Sequence, residues 1–407
     1  MQLVSVVSTA GETHRALAEI CANASHRLRG AKPDLVLAFI TAKHLQNPGD
    51  AAAIGNALRE QFPTALFLAT TGVGAIGDGR EVEGRPAISL LAAVLPGVEL
   101  RAFHLTNADI PLYSGPEAAQ RWRNLLQPLD AGGEPTSDAL PPGEDPTVLL
   151  LPDPFCTGLG EVIAGLDAAW PGGHVVGGVA SGFREPGQHR LLLDDEIHDG
   201  GVLGVMMYGD VRVDIRVAQG CRPVGQPLFV TQAQGRRLIA LDGRPAADVL
   251  QEVFETSDDG ERERMGQSLF LGIGLVDRET YGRGDFLVRH ILGAEPDTGA
   301  LIVQGELQEG QVVQFHVRDG QSSEEDLRAH LASVPPGAAG AILFACLGRG
   351  QALYGVPDHD AQVIRDAYGD VPLAGLFCNG EVGPVNGETF LHGYTASLCF
   401  LRPRESR

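Results

Sequence analysis

The sequence predicts an α+β protein of two domains, with mixed sheets built from repeated strand–helix–strand–strand units and packed with helices. Three observations lead there. The chain has 407 residues, twice or more the usual domain size, so two domains are the default expectation. One succession of elements (apolar strand, helix, apolar strand, glycine-rich loop, strand) occurs three times along it. Between the second and third occurrences lies a stretch of different character, read as short strands with helices among them.

The first unit has an apolar strand at residues 35–40, a helix around 50–61 and a second strand at 65–69. A glycine-rich loop follows at 70–79, then a strand at 87–95. The second unit repeats the order with a strand at 148–151, a helix at 160–170, a strand at 174–179 and a loop at 180–187. It closes with strands at 190–193 and 202–208. The third has a strand at 341–346, a helix at 359–368, a strand at 373–377, a loop at 378–387 and a strand at 390–400. The likeness is one of pattern, with little residue identity. Crossovers of this kind pair their two strands in parallel, with a right-handed connection. The strand after each loop adds an antiparallel partner, which makes the sheets mixed. All three glycine-rich loops thus fall at the carboxyl end of a second strand, where α/β sheets place ligands.

Between the first two units, residues 130–146 lack periodicity and are crowded with acidic and proline breakers, so they read as a surface loop. Past the second unit, residues 228–230 and 236–241 read as strands around the turn Asp242–Gly243, followed by a helix at 246–254. A polar segment at 255–266 comes next, then strands near 286–291, 300–304 and 311–318. A helix at 323–332 has Ser322 and Ser323 as N-cap candidates. The domain boundary is placed near 220–224, giving domains 1–220 and 221–407. The polar segment and the loop at 130–146 are the candidate moving parts.

Composition excludes several functions. The hydrophobic share of 43% is enough to bury a full core without disulfides. The formal net charge is −21, and Lys32 and Lys43 are the only lysines. Binding nucleic acid or anionic lipid needs clustered cations, and the chain has no basic run of five or more residues. Neither partner is expected. Residues 1–10 lack a basic segment and a cleavage site, so they read as a first strand and not a signal peptide. No stretch of 18 apolar residues predicts membrane insertion. The cysteines Cys21, Cys156, Cys221, Cys346, Cys378 and Cys399 form no C-x-x-C pair, which fits free thiols in a reducing cytoplasm.

Familiar catalytic signatures fail on context. Gly72, Gly74 and Gly77 spell G-x-G-x-x-G after a strand, yet turn residues and another strand follow where a dinucleotide site needs a helix. No glycine-rich loop runs into Lys-Ser or Lys-Thr, so the phosphate-binding loop is absent. Residues 178–182 read G-V-A-S-G, one position off the nucleophile elbow, again with no helix after it. The twelve histidines never take H-x-x-x-H spacing or join a cysteine quartet, so no metal site is expected.

The third loop is the best chemical candidate. Arg349 follows the first strand of its unit; Cys378, Asn379 and Glu381 follow the second; His392 and Tyr394 open the last. Arg349 offers a bidentate clamp for a carboxylate, which suits an amino-acid ligand. Asn379 offers donor and acceptor, Glu381 an ammonium partner, and Tyr394 a hydroxyl on an apolar body. Thr71 and Ser181, in the other two loops, join them as ligand-binding candidates. Plainer roles stay open: Asn379 and Gly380 form turns well, Glu381 can accept backbone N–H bonds, and Cys378 can be a small buried hydrophobe. Cys378 with His392 as a nucleophile–base pair is the enzymatic alternative, although Glu381 nearby works against a thiolate.

Residues 220–225 (GCRPVG), 237–250 (RLIALDGRPAADVL), 341–355 (AILFACLGRGQALYG) and above all 378–398 (CNGEVGPVNGETFLHGYTASL) resemble the FIST proteins. The likeness covers both FIST domains, roughly 30–220 and 221–395, and is most specific in the last block. It implies a bacterial sensory module that binds a small ligand, with amino acids proposed, and signals through a partner. A haem-binding, nitric-oxide-sensing subset of the family works with a histidine kinase. No cofactor is expected from the residues themselves. If haem binds, His392 is the first axial candidate for its place in the family block, with His290 and His316 behind it. The expectation is a cytoplasmic small-ligand sensor, with a haem nitric oxide sensor and a cysteine-dependent enzyme as alternatives.

Overall fold

The structure is a computed structural model and describes residues 1–111, 117–126, 145–275, 280–282 and 284–404. The surface loop expected at 130–146 lies outside the described residues except for its last two positions.

Strand β1 (Gln2–Ser8) and helix α1 (Thr13–Leu28) precede the first repeat. That repeat contains β2 (Leu35–Thr41), α2 (Asp50–Gln61), β3 (Leu66–Gly72), β4 (Ala75–Gly77), β5 (Arg80–Val82) and β6 (Ile88–Val94). After β7 (Val98–Leu105) and α3 (Ala118–Leu126), the second has β8 (Thr147–Pro152), α4 (Leu159–Ala169) and β9 (His174–Gly178). It ends in β10 (Leu191–Leu193), β11 (Glu196–His198) and β12 (Val202–Gly209), and β13 (Val211–Ala218) follows. The next stretch holds β14 (Cys221–Gln234), β15 (Arg237–Leu241), β16 (Arg244–Pro245), α5 (Ala246–Thr256) and α6 (Asp259–Gln267). It continues with β17 (Leu269–Gly274), β18 (Phe286–Ala294), β19 (Leu301–Val303), β20 (Val312–Arg318) and α7 (Gly320–Ala332). The third repeat has β21 (Gly340–Cys346), α8 (Gln351–Tyr354), α9 (His359–Tyr368) and β22 (Leu373–Cys378). Strands β23 (Glu381–Val385), β24 (Glu388–His392) and β25 (Ala396–Pro403) complete it.

These elements form two compact units, one of Met1–Val217 with His330–Arg407 and one of Ala218–Ala329. The expected partition into 1–220 and 221–407 therefore differs from the compact units. A boundary does fall close to 220, but the chain from His330 onward returns to the first unit, because the third repeat completes the first two.

In the first unit three six-stranded sheets share one plan. Their orders are β1-β6-β2-β3-β10-β11, β7-β12-β8-β9-β23-β24 and β13-β25-β21-β22-β4-β5. At the centre of each is the expected parallel pair, β2 with β3, β8 with β9, β21 with β22. The strand beside the pair is antiparallel, as expected. The outer hairpin never belongs to the repeat it completes. The first repeat gives β4–β5 to the third, the third gives β23–β24 to the second, and the second gives β10–β11 to the first.

One core, drawn from all three sheets, includes Phe39, Leu68, Leu151, Val205 and Phe344. Phe39 meets Phe344 edge to face at 6.3 Å between ring centroids, joining two of the sheets. The parallel strands are covered on their other faces by helices, which is why they read as unbroken apolar runs. Helix α2 buries Ala51, Ile54 and Leu58, one stripe at helical spacing, and carries Asp50 in its first turn. Helix α4 buries Val162, Ile163, Leu166 and Ala169 in the same manner.

The second unit is a closed antiparallel barrel. Strands β14, β20, β17, β18, β19 and β15 pair in that order, and β15 returns to β14. Leu238, Leu271, Val303, Val313 and Phe315 fill it. Closure pairs each of these six strands on both sides, and β16 adds a short edge strand on β15.

Several local expectations change. The loops at 70–79 and 378–387 contain hairpins, with left-handed Asp78–Gly79 and Asn386–Gly387 at their turns. Those dipeptides are the strongest short-range hairpin signals, but the strands beside them are too short to show alternation. The polar segment at 255–266 includes helix α6, capped by Asp258, whose side chain accepts a 2.8 Å bond from the Glu261 N–H. Strand β17 was missed altogether. Asp319, and not Ser322 or Ser323, supplies the side-chain oxygen at the start of α7, accepting at 2.6 Å from the Ser322 N–H.

The parallel pairs impose a glycine requirement. A Cβ on Gly177 would lie 2.0 Å from the Leu150 carbonyl oxygen across β8–β9, and one on Gly375 would lie 1.9 Å from that of Leu343 across β21–β22. Backbone cannot yield there without parting the strands. Gly177→Ala is expected to cost roughly 3 kcal/mol or more in chemical denaturation. Gly160→Ala, in helix α4 with open space around it, is expected to be neutral or slightly stabilising.

Candidate functional site

The three second strands end where the loops of the repeats meet. Ser181 N–H donates to Thr71 O at 3.1 Å, Asn379 N–H to Val179 O at 3.0 Å, and Phe377 N–H to Gly74 O at 3.2 Å. These bonds tie each repeat to the other two. Ser181 adds a side-chain tie, its Oγ donating to Phe377 O at 2.5 Å and accepting from Val73 N–H at 2.8 Å. Thr71 Oγ1 lies 2.9 Å from His189 Nδ1, both residues buried. Burial is the main cause that lowers His189 to about 4, so its ring is neutral at ordinary pH. Thr71 and Ser181 are thus occupied in holding loops together.

In the third repeat the expected residues do gather, though not with their expected roles. Cys378 is fully buried, and burial first, then Glu381 and Cys346, push its thiol well above the ordinary range. His392 Nε2 lies 2.9 Å from Gly383 O, so its ring serves the β23–β24 hairpin. This arrangement corrects the nucleophile–base expectation, since the thiol is held neutral and the imidazole faces a backbone carbonyl. Glu381 is buried, and its Oε2 accepts from Thr395 N–H at 3.1 Å and Thr395 Oγ1 at 2.8 Å. That places it in the plainer role of backbone acceptor. Asn379 is exposed, and Tyr394 is half-buried with left-handed φ of 65°, its N–H donating to Cys346 Sγ at 3.2 Å.

Arg349 departs most from expectation. It is fully buried, and its fork is filled from within the protein: Nε donates to Asp360 Oδ2 at 2.6 Å and Nη2 to Asp360 Oδ1 at 2.9 Å. Nη2 also donates to the Tyr354 hydroxyl at 2.6 Å. Burial alone would lower the guanidinium and raise the carboxyl. Their mutual attraction reverses both, and the pair stays ionised. The Tyr354 ring stacks on His359 with centroids 3.5 Å apart.

A second carboxyl reaches this pair from the first repeat. Glu81, on β5, is buried; its N–H donates to Asp358 Oδ1 at 2.6 Å, and its Oε1 accepts from Ala361 N–H at 2.7 Å in the first turn of α9. Burial first and the Asp360 charge second raise Glu81 to about 8. Glu83, two residues on, accepts from Gln351 N–H at 2.9 Å and so holds the start of α8. Two atoms here have no hydrogen-bond partner among the described residues, Arg349 Nη1 and Glu81 Oε2. Over the cluster lies α8, bounded by left-handed Gly350 and Gly355.

Sequence reading missed Glu81, Tyr354, His359 and Asp360. Asp360 had a signal, an acidic residue in the first turn of a predicted helix near an arginine. Glu81 had none, because only the exchanged hairpin brings it to residues some 280 positions away.

Each of the three histidines named as haem candidates has one ring nitrogen beside a backbone carbonyl. His392 is held by Gly383 O, and His290 Nδ1 lies 2.9 Å from Ile291 O with its ring against the edge of Phe270. His316 is buried, with Nδ1 3.0 Å from Gln314 O, and its ring so closely packed that a Cβ on Gly272 would lie 2.4 Å from it. Among the described residues no helix is long and apolar enough to cross a membrane. All six cysteines are thiols.

The FIST N domain matches residues 34–244 and the FIST C domain residues 246–384. A Mycobacterium tuberculosis protein described as uncharacterized is 36% identical over 404 residues, covering 97% of this chain and 98% of its own. A Mycobacterium bovis protein with the same description is 34% identical over 402 residues, covering 97% of each.

Glu81 makes stability depend on pH. Its folded value of about 8 exceeds the 4.5 of an unperturbed glutamic acid, so the fold keeps a proton that the unfolded chain releases. The resulting stabilisation is full below pH 4.5 and is lost as pH rises through about 8. Glu81→Gln, which cannot ionise, should remove this dependence. Between about pH 5 and 8, wild-type stability is expected to fall relative to the variant by on the order of 3 kcal/mol in urea titrations. Parallel stability curves would mean that Glu81 stays ionised in the fold.

Proposed function

The chain belongs to the FIST family, whose domains are sensory, ligand-binding domains of signal transduction, and from that premise we propose that it is a small-ligand sensor reading an amino acid or similar small carboxylate at the Arg349–Glu81 cluster. One observation carries this reading. Arg349 Nη1 and Glu81 Oε2, both donors while Glu81 holds its proton, are buried and lack hydrogen-bond partners among the described residues. Leaving such atoms unmatched costs about 1–3 kcal/mol each. A ligand carboxylate accepts from both, and an ammonium or hydroxyl group pairs with Glu81 once its proton is released. The Asp360 pairing restricts the role of Arg349 to its remaining donor, a narrower role than a full clamp.

Access requires α8 to move. Its glycine borders allow the short helix to swing as a lid, with Tyr354 leaving Arg349 and the face of His359. Ligand then favours one conformer, and the shift in population is what a partner protein reads. Family likeness makes a histidine kinase the partner class to try first. The reduced thiols suit work in the cytoplasm.

Thermal-shift and calorimetric titration with a panel of amino acids and small carboxylates tests the reading. At least one is expected to raise the melting temperature by a few degrees. Tyr354→Phe, which leaves the Arg349–Asp360 pair intact, should alter lid closure and change affinity, and Glu81→Gln should change which ligands bind. If no member of the panel moves the wild-type transition, the reading is wrong.

A further inference from the structure

Two cysteines face each other at the end of the central strand pair of the third repeat. Cys346 closes β21 and Cys378 closes β22, and the parallel register sets them side by side. Phe344 and Leu376, two residues earlier on each strand, both enter the shared core. Side chains alternate along a strand, so the two thiols stand on one face. Neighbouring strands lie about 4.8 Å apart, and a disulfide joins residues whose α-carbons are about 4.4–6.8 Å apart. The register therefore holds the pair within disulfide reach without movement of the backbone. Across their own pairings Cys221 faces Arg318 and Cys399 faces Ile342, while Cys21 lies on α1 and Cys156 in the loop before α4.

The two sulfurs have different surroundings. Cys346 is half-buried, and its Sγ accepts from Tyr394 N–H at 3.2 Å. It also lies within electrostatic reach of the Arg349 guanidinium. Partial exposure, an N–H donor and a nearby cation are the surroundings of reactive cysteines. Cys378 is fully buried, with its Sγ 3.5 Å from Leu376 O. One sulfur meets solvent, and the other waits beside it.

We infer that Cys346 and Cys378 form a reversible redox site, in which a hydroperoxide oxidises Cys346 and Cys378 resolves it to a disulfide. The Cys346 sulfur attacks the terminal oxygen of the peroxide and the O–O bond breaks. The leaving oxygen takes the thiol proton and departs as an alcohol or water, and Cys346 becomes a sulfenic acid. The Cys378 sulfur then attacks that sulfur. The S–O bond breaks, the S–S bond forms, and hydroxide leaves with the Cys378 proton as water. The two electrons given up by the thiols reduce the peroxide. Direct juxtaposition offsets the neutral state of Cys378, because the second step needs no encounter. Transient disulfides of this kind are the ones a reducing compartment permits.

The bond has a local consequence. Strand β21 lies between β25 and β22, and the Cys346 sulfur bonds to Tyr394, just before β25. Joining Cys378 turns it toward β22 and gives up that bond, at a residue with φ of 65°. The same strand end carries Arg349, whose N–H donates to Cys346 O at 2.9 Å. Oxidation thus acts on the approach to the Arg349–Glu81 cluster, but the redox site stands whether or not ligand binds there.

Peptide mapping by mass spectrometry tests the inference on the full chain, treated with graded hydrogen peroxide and then unfolded in N-ethylmaleimide. A linked Cys346–Cys378 pair, two hydrogens lighter than the separate peptides, is expected to form before Cys399 is lost, and dithiothreitol should restore both thiols. In Cys378→Ser the link should vanish and Cys346 should persist as a sulfenic acid that dimedone traps. If that variant folds poorly, amide exchange of the wild type serves instead: the Tyr394 N–H should exchange several-fold faster after peroxide and recover with dithiothreitol. Cys346 still a thiol when Cys21 and Cys156 are already oxidised, or Cys346 oxidised without joining Cys378, would overturn the inference.

Discussion

A parallel strand pair exposes the far edge of its second strand, with a row of N–H and C=O groups that would otherwise pair with another chain. Three such edges exist in the first unit, on β3, β9 and β22. Each is closed by a hairpin sent from a different repeat, and the exchange returns to its start after three steps. No repeat has a complete sheet by itself, and none can cover its apolar inner face alone. The shared core, the return of the chain after the inserted barrel and the arrangement of the loops all follow from that closure.

The closure also decides what the glycine-rich loops can do. A loop at the carboxyl end of a parallel strand is normally available to a ligand. Here the loops carry the exchanged hairpins, and their polar groups are spent on one another. Ser181 bonds to both other repeats, Glu381 secures the approach to β25, and His392 holds its own hairpin. The same exchange brings Glu81 and Glu83 beside the helices of the third repeat, where neither local sequence nor repeat pattern would place them.

Charge inside the first unit is accordingly concentrated. A buried ion pair such as Arg349 with Asp360 loses hydration that mutual attraction only partly offsets, so it is weak ground for stability. Its geometry is bidentate, and Tyr354 satisfies a further proton. Arg349 Nη1 and Glu81 Oε2 remain without hydrogen-bond partners among the described residues, beside a four-residue helix between two glycines of positive φ.

The α+β class, the repeat order and the parallel pairs were legible in the residues alone, because strands covered on both faces must be continuously apolar and the helices between them must show a single buried stripe. The sequence also pointed to the third repeat as the place where Cys378, Glu381 and Tyr394 gather, since strand ends in such units fall together. Asp-Gly and Asn-Gly marked two of the exchanged hairpins, but not their destinations. Those destinations belong to tertiary structure alone, because backbone pairing across repeats leaves no periodic trace in side chains. The same holds for Arg349. Its residue type offered a fork for a carboxylate, and only the packed fold decided that the carboxylate would be Asp360 and that Glu81 would arrive from the first repeat as its neighbour.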